Sequence, residues 1–364
     1  MKRVGYLYEK MLNKKLIKSV ILKGAVGKKK RGDVIKVLDD VDGYTDKIYE
    51  LLETHSYKPT KPKIKVIHDQ SSGKEREISI VPYFPDGIMH QLATEVMRPV
   101  LMRGMYHWSC ASIPKRGNMH AIKYVKKHLR NDPKGTKYCA KLDIRHYYQS
   151  IDTRLLIGKL GRKIKDREFL DLVASIVNSN PREGISIGFY INQWLANFFL
   201  EDLDRYICNL DGVKYYIRNM DDLIILSPNK RKLHRIVVSI GNFLSEMKLT
   251  LKPNWQVFKT DSRGIDFVGY RFYHGYTLLR HRNFLKLTRQ CRRVKKMLPC
   301  DIPFKIAAGL ISRVGQLKHC SGLWIRQRYF DAICYRITKK LKDVIREYAR
   351  NHNQNHIPSM VCCV

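Results

Sequence analysis

Acid is scarce in this sequence relative to base: 33 Asp and Glu stand against 69 Lys and Arg in 364 residues, a formal net charge of +36 at pH 7. A folded body with that field attracts polyanions and meets nucleic acid quickly whatever its base sequence. An anionic membrane is the competing partner, but an apolar run of about 20 residues is missing, and so is a signal-peptide pattern. No membrane partner and a cytoplasmic location are therefore expected. Cysteine offers no framework either. The nine cysteines (110, 139, 208, 291, 300, 320, 334, 362 and 363) are odd in number and scattered, without a CxxC pair or a histidine at zinc-ligand spacing. That excludes a disulfide scaffold or structural zinc site and leaves reduced thiols, most of them small core residues. Internal repeats and low-complexity linkers are absent as well, so lobes must be inferred from charge and periodicity.

What is present suffices for a folded protein. Hydrophobic residues make up 44% and aromatics 10% of the chain, which excludes wholesale disorder, and the length allows two or three packed lobes. Residues 1–31 carry Lys10, Lys14, Lys15, Lys18, Lys23, Lys28, Lys29, Lys30 and Arg31 around Leu7, Met11 and Leu16. This reads as a basic arm or helix for a phosphate backbone, or as a solvated charged face. Ile64 to Val81 predicts two strands joined by Gln70-Ser71-Ser72-Gly73, and 88–102 has helical periodicity. Segment 136–144 predicts a strand ending in an acid, with Asp152 capping the helix that follows. From Phe189 to Ile207 the run is apolar almost all round its helical circumference, predicting one buried helix. Residues 213–227 predict a hairpin with an acidic turn, and beyond Leu279 a helical, strongly basic third lobe begins.

Carboxylates set among β-branched residues call for an explanation in so basic a chain. Asp143 follows Leu142 at the end of its strand, and Asp221-Asp222 sit between two apolar strands. A lone Asp is most often a turn residue or a helix cap. A tandem pair is different, because hairpin turns favour Asn-Gly or Asp-Gly and gain nothing from adjacent like charges. Burying such acids together is costly unless cations neutralise them, and two hard divalent ions would do so. Two Mg²⁺ ions ~3.5–4 Å apart clamp the attacking and leaving oxygens of a nucleotidyl transfer.

Seven segments now form an ordered series: GKEREISIVPYFPDGIMH (73–90), SIPKRGNMHA (112–121), KLDIRHYYQSID (141–152), GISIGFYINQWLAN (184–197), YYIRNMDDLIIL (215–226), KLTLKPNWQVF (248–258) and GIDFVGYRFY (264–273). In this order the chain resembles the reverse transcriptases, particularly bacterial and phage enzymes near those of group II introns, retrons and diversity-generating retroelements. The resemblance implies an α+β right-hand polymerase: fingers over 1–110, a palm of antiparallel sheet over 111–280, a helical thumb over 281–350 and a tail over 351–364. It implies Asp143, Asp221 and Asp222 as catalytic metal ligands, with the Ile144 carbonyl as a further ligand, and two Mg²⁺ (or Mn²⁺) as cofactors. Lys74 and Arg76 match the bases that grip the incoming triphosphate, Tyr148 the steric gate against a ribose 2′-OH, and Gln193 the glutamine near the nascent base pair. A surface basic hairpin and a core aromatic are the plainer alternatives for Lys74, Arg76 and Tyr148. Trp194 and Phe198 read as core. Asn219, Met220 and Gly269 fall on primer contacts, and Arg292, Arg293, Lys295 and Lys296 on a thumb track for duplex phosphates.

Departures from the family pattern cluster near the nucleotide. Asn219 replaces the aromatic of YxDD, Ser186 a common Pro, Asn192 a Ser or Thr, and Gly87 a common Arg. None removes a metal ligand. The lysine invoked as the acid for pyrophosphate lacks a clean match, leaving Lys252 or Lys259 as substitutes. The expected reaction is extension of a primer 3′-end with dNTPs on an RNA template. The rival readings are a template-poor or protein-primed polymerase of antiphage defence and an RNA-binding module with a relict palm. Expected partners are a cognate non-coding RNA, a DNA or RNA primer, dNTPs, and an accessory protein or a second copy of the chain. A nuclease, integrase or maturase extension is not recognisable.

Overall fold

The computed structural model describes residues 3–69, 73–297, 302–331, 333, 339, 343 and 345–347. Four helices open the chain: α1 (Leu7–Met11), α2 (Lys14–Ala25), α3 (Gly32–Asp39) and α4 (Val41–Glu53). Leu7, Met11, Ile17, Ile21, Val34, Val37, Ile48 and Leu52 are buried, whereas Lys10, Lys14, Lys15, Lys18 and Lys23 are exposed. The basic opening segment is thus helical from early on, its lysines forming the solvent side of a packed layer. Asn13 caps α2 through Leu16 N, and Asp40 caps α4 through Gly43 N.

Strands β1 (Lys63–Asp69) and β2 (Lys74–Ile80) form the expected antiparallel hairpin, with Ile67 opposite Arg76. Three residues of its turn, 70–72, and the side chain of Lys74 lie outside the described residues. Helix α5 (Ile88–Met102) spans the range its periodicity predicts and buries Ile88, Met89, Leu92, Met97 and Leu101. Then come α6 (Asn118–Asn131), β3 (Tyr138–Asp143), α7 (Tyr147–Ser150), α8 (Thr153–Gly161) and α9 (Arg167–Asn178). Asp152 caps α8 as expected, accepting from Arg154 N and Leu155 N.

The single helix expected over 189–207 is two, α10 (Tyr190–Phe199) and α11 (Glu201–Asn209). The chain breaks at Leu200 (φ −87°, ψ 6°), so α11 starts a new turn with Glu201, Asp202 and Asp204 at its positive end. Helix α10 is buried almost all round, while α11 is amphipathic. Next follow β4 (Tyr215–Asn219), β5 (Asp222–Ser227), α12 (Lys230–Glu246) and β6 (Gln256–Lys259). One sheet has the order β4-β5-β3-β6, so β3 lies beside the β4–β5 hairpin. Further along come α13 (Thr260–Arg263), an antiparallel meander of β7 (Ile265–Phe267), β8 (Tyr270–Phe272) and β9 (Thr277–Leu279), then α14 (His281–Lys295) and α15 (Phe304–Gln316), with short helical turns between Leu317 and Asp331 after them.

The chain divides into two compact units that are not contiguous in sequence. One holds residues up to Gly117, Ala140–Ile225 and Lys230–Val257; the other holds Asn118–Cys139, Leu226–Asn229 and the described residues from Phe258 onward. No described helix is long and apolar enough to cross a membrane. Cys110, Cys139 and Cys291 are buried thiols, Cys208 and Cys320 are more exposed thiols, and Cys300, Cys334, Cys362 and Cys363 lie outside the described residues.

Candidate active site

Strand β3 alternates buried Leu142 with half-buried Asp143 and ends there, so its last carboxylate emerges at the end of an inner strand of the sheet. The backbone beyond it is clamped on both sides. Lys252 N donates to Asp143 O at 2.8 Å and Arg145 N to Thr250 O at 2.8 Å, while Ile144 N donates to Asp221 O at 3.2 Å. Two acids far apart in sequence therefore meet through the peptide between Asp143 and Ile144. Asp222 follows directly as the first residue of β5.

Burial and the like charge of Asp143 push the Asp221 carboxyl above the usual carboxylate range, while the cations Lys252 and Arg76 pull it back. The Lys252 ammonium forms an ion pair with Asp143 Oδ1. Burial is the larger cause of the Asp221 shift; the like charge of Asp143 adds to it, and the Lys252 ammonium offsets part of the negative charge there. Among the described residues no three His, Cys, Asp or Glu side chains converge as a ready-made metal cage.

Two tyrosines beside the acids have opposite environments. Tyr147 is 3% exposed and its hydroxyl donates to Ala196 O in α10 at 2.5 Å, which makes it a core residue. Tyr148 is half-buried, donates to Met220 Sδ at 3.8 Å, and has its hydroxyl pKa pushed up by burial and by Asp221. Of the two, Tyr148 faces the acidic turn.

A wall between these groups and β2 is formed by residues 184–188. Gly184 has φ +72°, and a Cβ there would meet Tyr148 O and Gln149 O at 2.4 Å; Ile185 N donates to Tyr148 O at 2.9 Å. Gly188 has φ +119°, and a Cβ would meet Ser79 O at 2.3 Å. Only glycine lets the backbone pass so close on both sides. Two of the family departures prove to be partners here. Asn192 Nδ2 donates to Ser186 O at 3.0 Å, and the Ser186 hydroxyl pairs with that of Ser79 at 2.7 Å. The backbone of β2 joins them, Ser79 N donating to Ile187 O at 2.8 Å.

Arg76 is exposed on β2 and acts on Asp221 through its charge. Gln193 is exposed on α10, its neighbours Trp194 and Phe198 being core as expected. Asn219 and Met220 are half-buried, Met220 turning the hairpin at φ +60°. Gly87 starts α5 with helical angles. The remaining candidates belong to the second unit. Gly269 joins β7 to β8, its carbonyl accepting from Arg280 N at 3.0 Å. On α14, Leu287, Cys291 and Val294 are buried, while Arg292, Arg293 and Lys295, with Lys296 just past the helix end, are exposed.

Lys252, from sequence only one of two candidates for proton donation, is held against Asp143 by both its backbone and its ammonium. Arg218 has no role in the sequence-derived site. Its signal is a lone cation inside the apolar strand YYIRN, and it is completely buried.

The family model described as "Reverse transcriptase (RNA-dependent DNA polymerase)" matches residues 62–272. The chain belongs to the reverse transcriptases. Among curated relatives, it is 24% identical over 226 residues to the group II intron-encoded protein LtrA of Lactococcus lactis subsp. cremoris, covering 58% of this chain and 36% of the relative. It is 28% identical over 169 residues to protein YkfC of Escherichia coli K12, covering 43% of each. The chain thus spans less than half the length of either relative. Among solved structures it resembles telomerase from Candida tropicalis in complex with the TWJ fragment of telomeric RNA, at 14% identity and a TM-score of 0.50, covering 82% of this chain and 55% of that one. The fold is the α+β right-hand polymerase fold of reverse transcriptases.

Proposed function

We propose that the protein is an RNA-directed DNA polymerase that extends a primer 3′-end with dNTPs. The observation that carries this reading is the meeting of Asp143 and Asp221 across the Ile144 peptide, charged enough that Lys252 and Arg76 both act on them. On this reading the fingers comprise residues 1–110, the palm 111–280 and the thumb 281–350.

Asp143, Asp221, Asp222 and the Ile144 carbonyl would hold two Mg²⁺, or Mn²⁺, which lower the pKa of the primer hydroxyl and neutralise charge at the leaving pyrophosphate. The rest falls to the chain's own groups. Arg76, with Lys74, grips the triphosphate by charge-assisted hydrogen bonds. Tyr148 fills the space a 2′-OH would need, next to Met220 and Asp221. Gln193 and Asn219 border the nascent pair and the primer end. Gly269 lets backbone approach the primer, and Arg292, Arg293, Lys295 and Lys296 follow duplex phosphates without reading bases.

Primer extension with labelled dNTPs tests the reading in two arms, one with an RNA template annealed to primer and one without RNA. Incorporation that needs the template and follows its sequence supports it. Equal incorporation without RNA supports the template-poor or protein-primed polymerase of antiphage defence, and none in either arm supports an RNA-binding role.

A further inference from the structure

Beneath the acidic turn lies Arg218, the largest side chain that is fully buried among the described residues. An unpaired guanidinium there would be prohibitively costly, and it is not unpaired. Nε and Nη2 donate to Asp204 Oδ1 and Oδ2 at 2.8 and 2.6 Å, a two-pronged ion pair with a carboxylate that is itself 1% exposed. Nη2 also donates to Asn197 O at 3.3 Å, and Nη1 to Asn197 Oδ1 at 3.3 Å. The last bond runs from Nη1 to the carbonyl of Met220 at 3.0 Å. These five bonds match the five N–H groups of a guanidinium, so every donor is used.

The far side of the network is equally fixed. Tyr216 OH donates to Asp204 Oδ1 at 2.7 Å, and Ser109 Oγ to Asn197 Oδ1 at 3.1 Å. Asn197 Nδ2 donates to Ala111 O at 2.9 Å and to Gln193 O at 3.1 Å. The strand is held too, Arg218 N donating to Trp108 O at 3.1 Å and Cys110 N to Arg218 O at 2.8 Å. Meanwhile the turn it supports is strained, Met220 sitting at φ +60°, where a side chain is disfavoured. The carbonyl of Met220 is held by Arg218, and the next one, of Asp221, by Ile144 N at 3.2 Å.

We propose that Arg218, anchored by Asp204 and Asn197, is a positioning residue that locks the Met220 peptide and thereby aims the Asp221 and Asp222 carboxylates for cation binding. The lock rests on the polymerase reading above and adds a control that lies outside the ligands themselves. It explains why a buried charge pair is kept where an apolar pair would pack at least as stably. It also accounts for arginine in particular, since lysine has three donors and cannot reach Asp204 twice while also holding Met220 O.

Removing one partner alone would strand a buried charge, so the informative variant is the double replacement Arg218→Met with Asp204→Leu, which takes the ion pair out whole. Asp143→Asn serves as the reference for a missing ligand. Mn²⁺ binding is measured directly by electron paramagnetic resonance, with thermal melting as the check on folding and dNTP incorporation against Mg²⁺ concentration alongside. The double variant should melt as a folded protein, bind Mn²⁺ about ten- to a hundredfold more weakly, and need correspondingly more Mg²⁺ for half-maximal incorporation. Arg218→Lys should show the same direction with a smaller effect. A folded double variant whose Mn²⁺ affinity stays within about twofold of wild type would overturn the lock and leave a core ion pair with no influence on the site. A double variant that does not fold transfers the decision to Arg218→Lys, for which unchanged Mn²⁺ affinity overturns the lock in the same way. If the wild-type chain itself binds no Mn²⁺, the polymerase reading falls and the lock with it, an outcome distinct from both.

Discussion

Tyr148 donates its hydroxyl toward the Met220 sulfur, whereas Tyr147 donates into α10 at Ala196. Replacing Tyr148 by Ala should therefore raise the use of rNTPs relative to dNTPs in competition assays, with little loss of stability. Tyr147→Ala should instead leave sugar selection alone and destabilise the protein by about 3–5 kcal/mol, the usual cost of emptying a large aromatic site. Sugar selectivity that changes in Tyr147→Ala and not in Tyr148→Ala would contradict this assignment. Lys252 allows a prediction of sign. Its ammonium pairs with Asp143 across a partly exposed contact, so a divalent cation bound there as proposed would compete with it. Lys252→Met should lower the Mg²⁺ concentration needed for half-maximal incorporation by about two- to fivefold, the size expected of a partly screened ion pair. A higher Mg²⁺ requirement would show that Lys252 assists the cation instead of opposing it.

Helix α5 carries a buried histidine that makes stability depend on pH. His90 is 1% exposed and packs on Phe189 with ring centroids 4.7 Å apart; burial lowers its pKa to about 4 despite the attraction of Asp86. In the unfolded chain the imidazole titrates near the ordinary ~6.5. Because the folded value is the lower one, the unfolded state takes up the proton first. Stability is then complete above about pH 6.5 and is lost as pH falls toward 4, by up to about 3 kcal/mol. Denaturant midpoints measured across that range should fall in the wild type and stay flatter in His90→Leu; equal slopes would contradict the assignment. Elements with strong local signals were legible from sequence: α5 by its period, β1 and β2 by alternation around a turn, and Asp152 by its capping position. The break at Leu200 was not, because apolar periodicity continues through it and only the acids opening α11 mark a new start. From sequence, Asp143, Asp221 and Asp222 stood out as acids set among apolar strand residues, whereas Tyr148 was singled out only by the family resemblance; their roles are part of the proposed function. Arg218, Asp204 and Asn197 were not legible, since their meaning lies in hydrogen bonds between β4, α10 and α11 that no linear pattern displays.

For the whole molecule the dominant property is the +36 net charge, which should make nucleic-acid binding steeply dependent on salt. The exposed cations of α14 should supply part of that slope. Changing Arg292, Arg293, Lys295 and Lys296 to Glu should reduce the log–log slope by ~0.7–0.9 for each phosphate that is no longer neutralised, and an unchanged slope would move the track elsewhere. On the proposed reading, charge at this scale would bring template and primer to the protein without performing the transfer. The transfer would fall to Asp143 and Asp221, whose backbones meet at the Ile144 N–H. The most direct measurement is primer extension on an RNA template by Asp143→Asn and Asp221→Asn beside wild type, with RNA affinity determined in the same buffer. Removing either charge while preserving its shape should cut dNTP incorporation at least about a thousandfold and leave RNA affinity nearly intact, since cation stabilisation of the transition state amounts to several kcal/mol while the phosphate-binding groups are other residues. Incorporation within about tenfold of wild type in either variant would contradict the assignment of the catalytic centre.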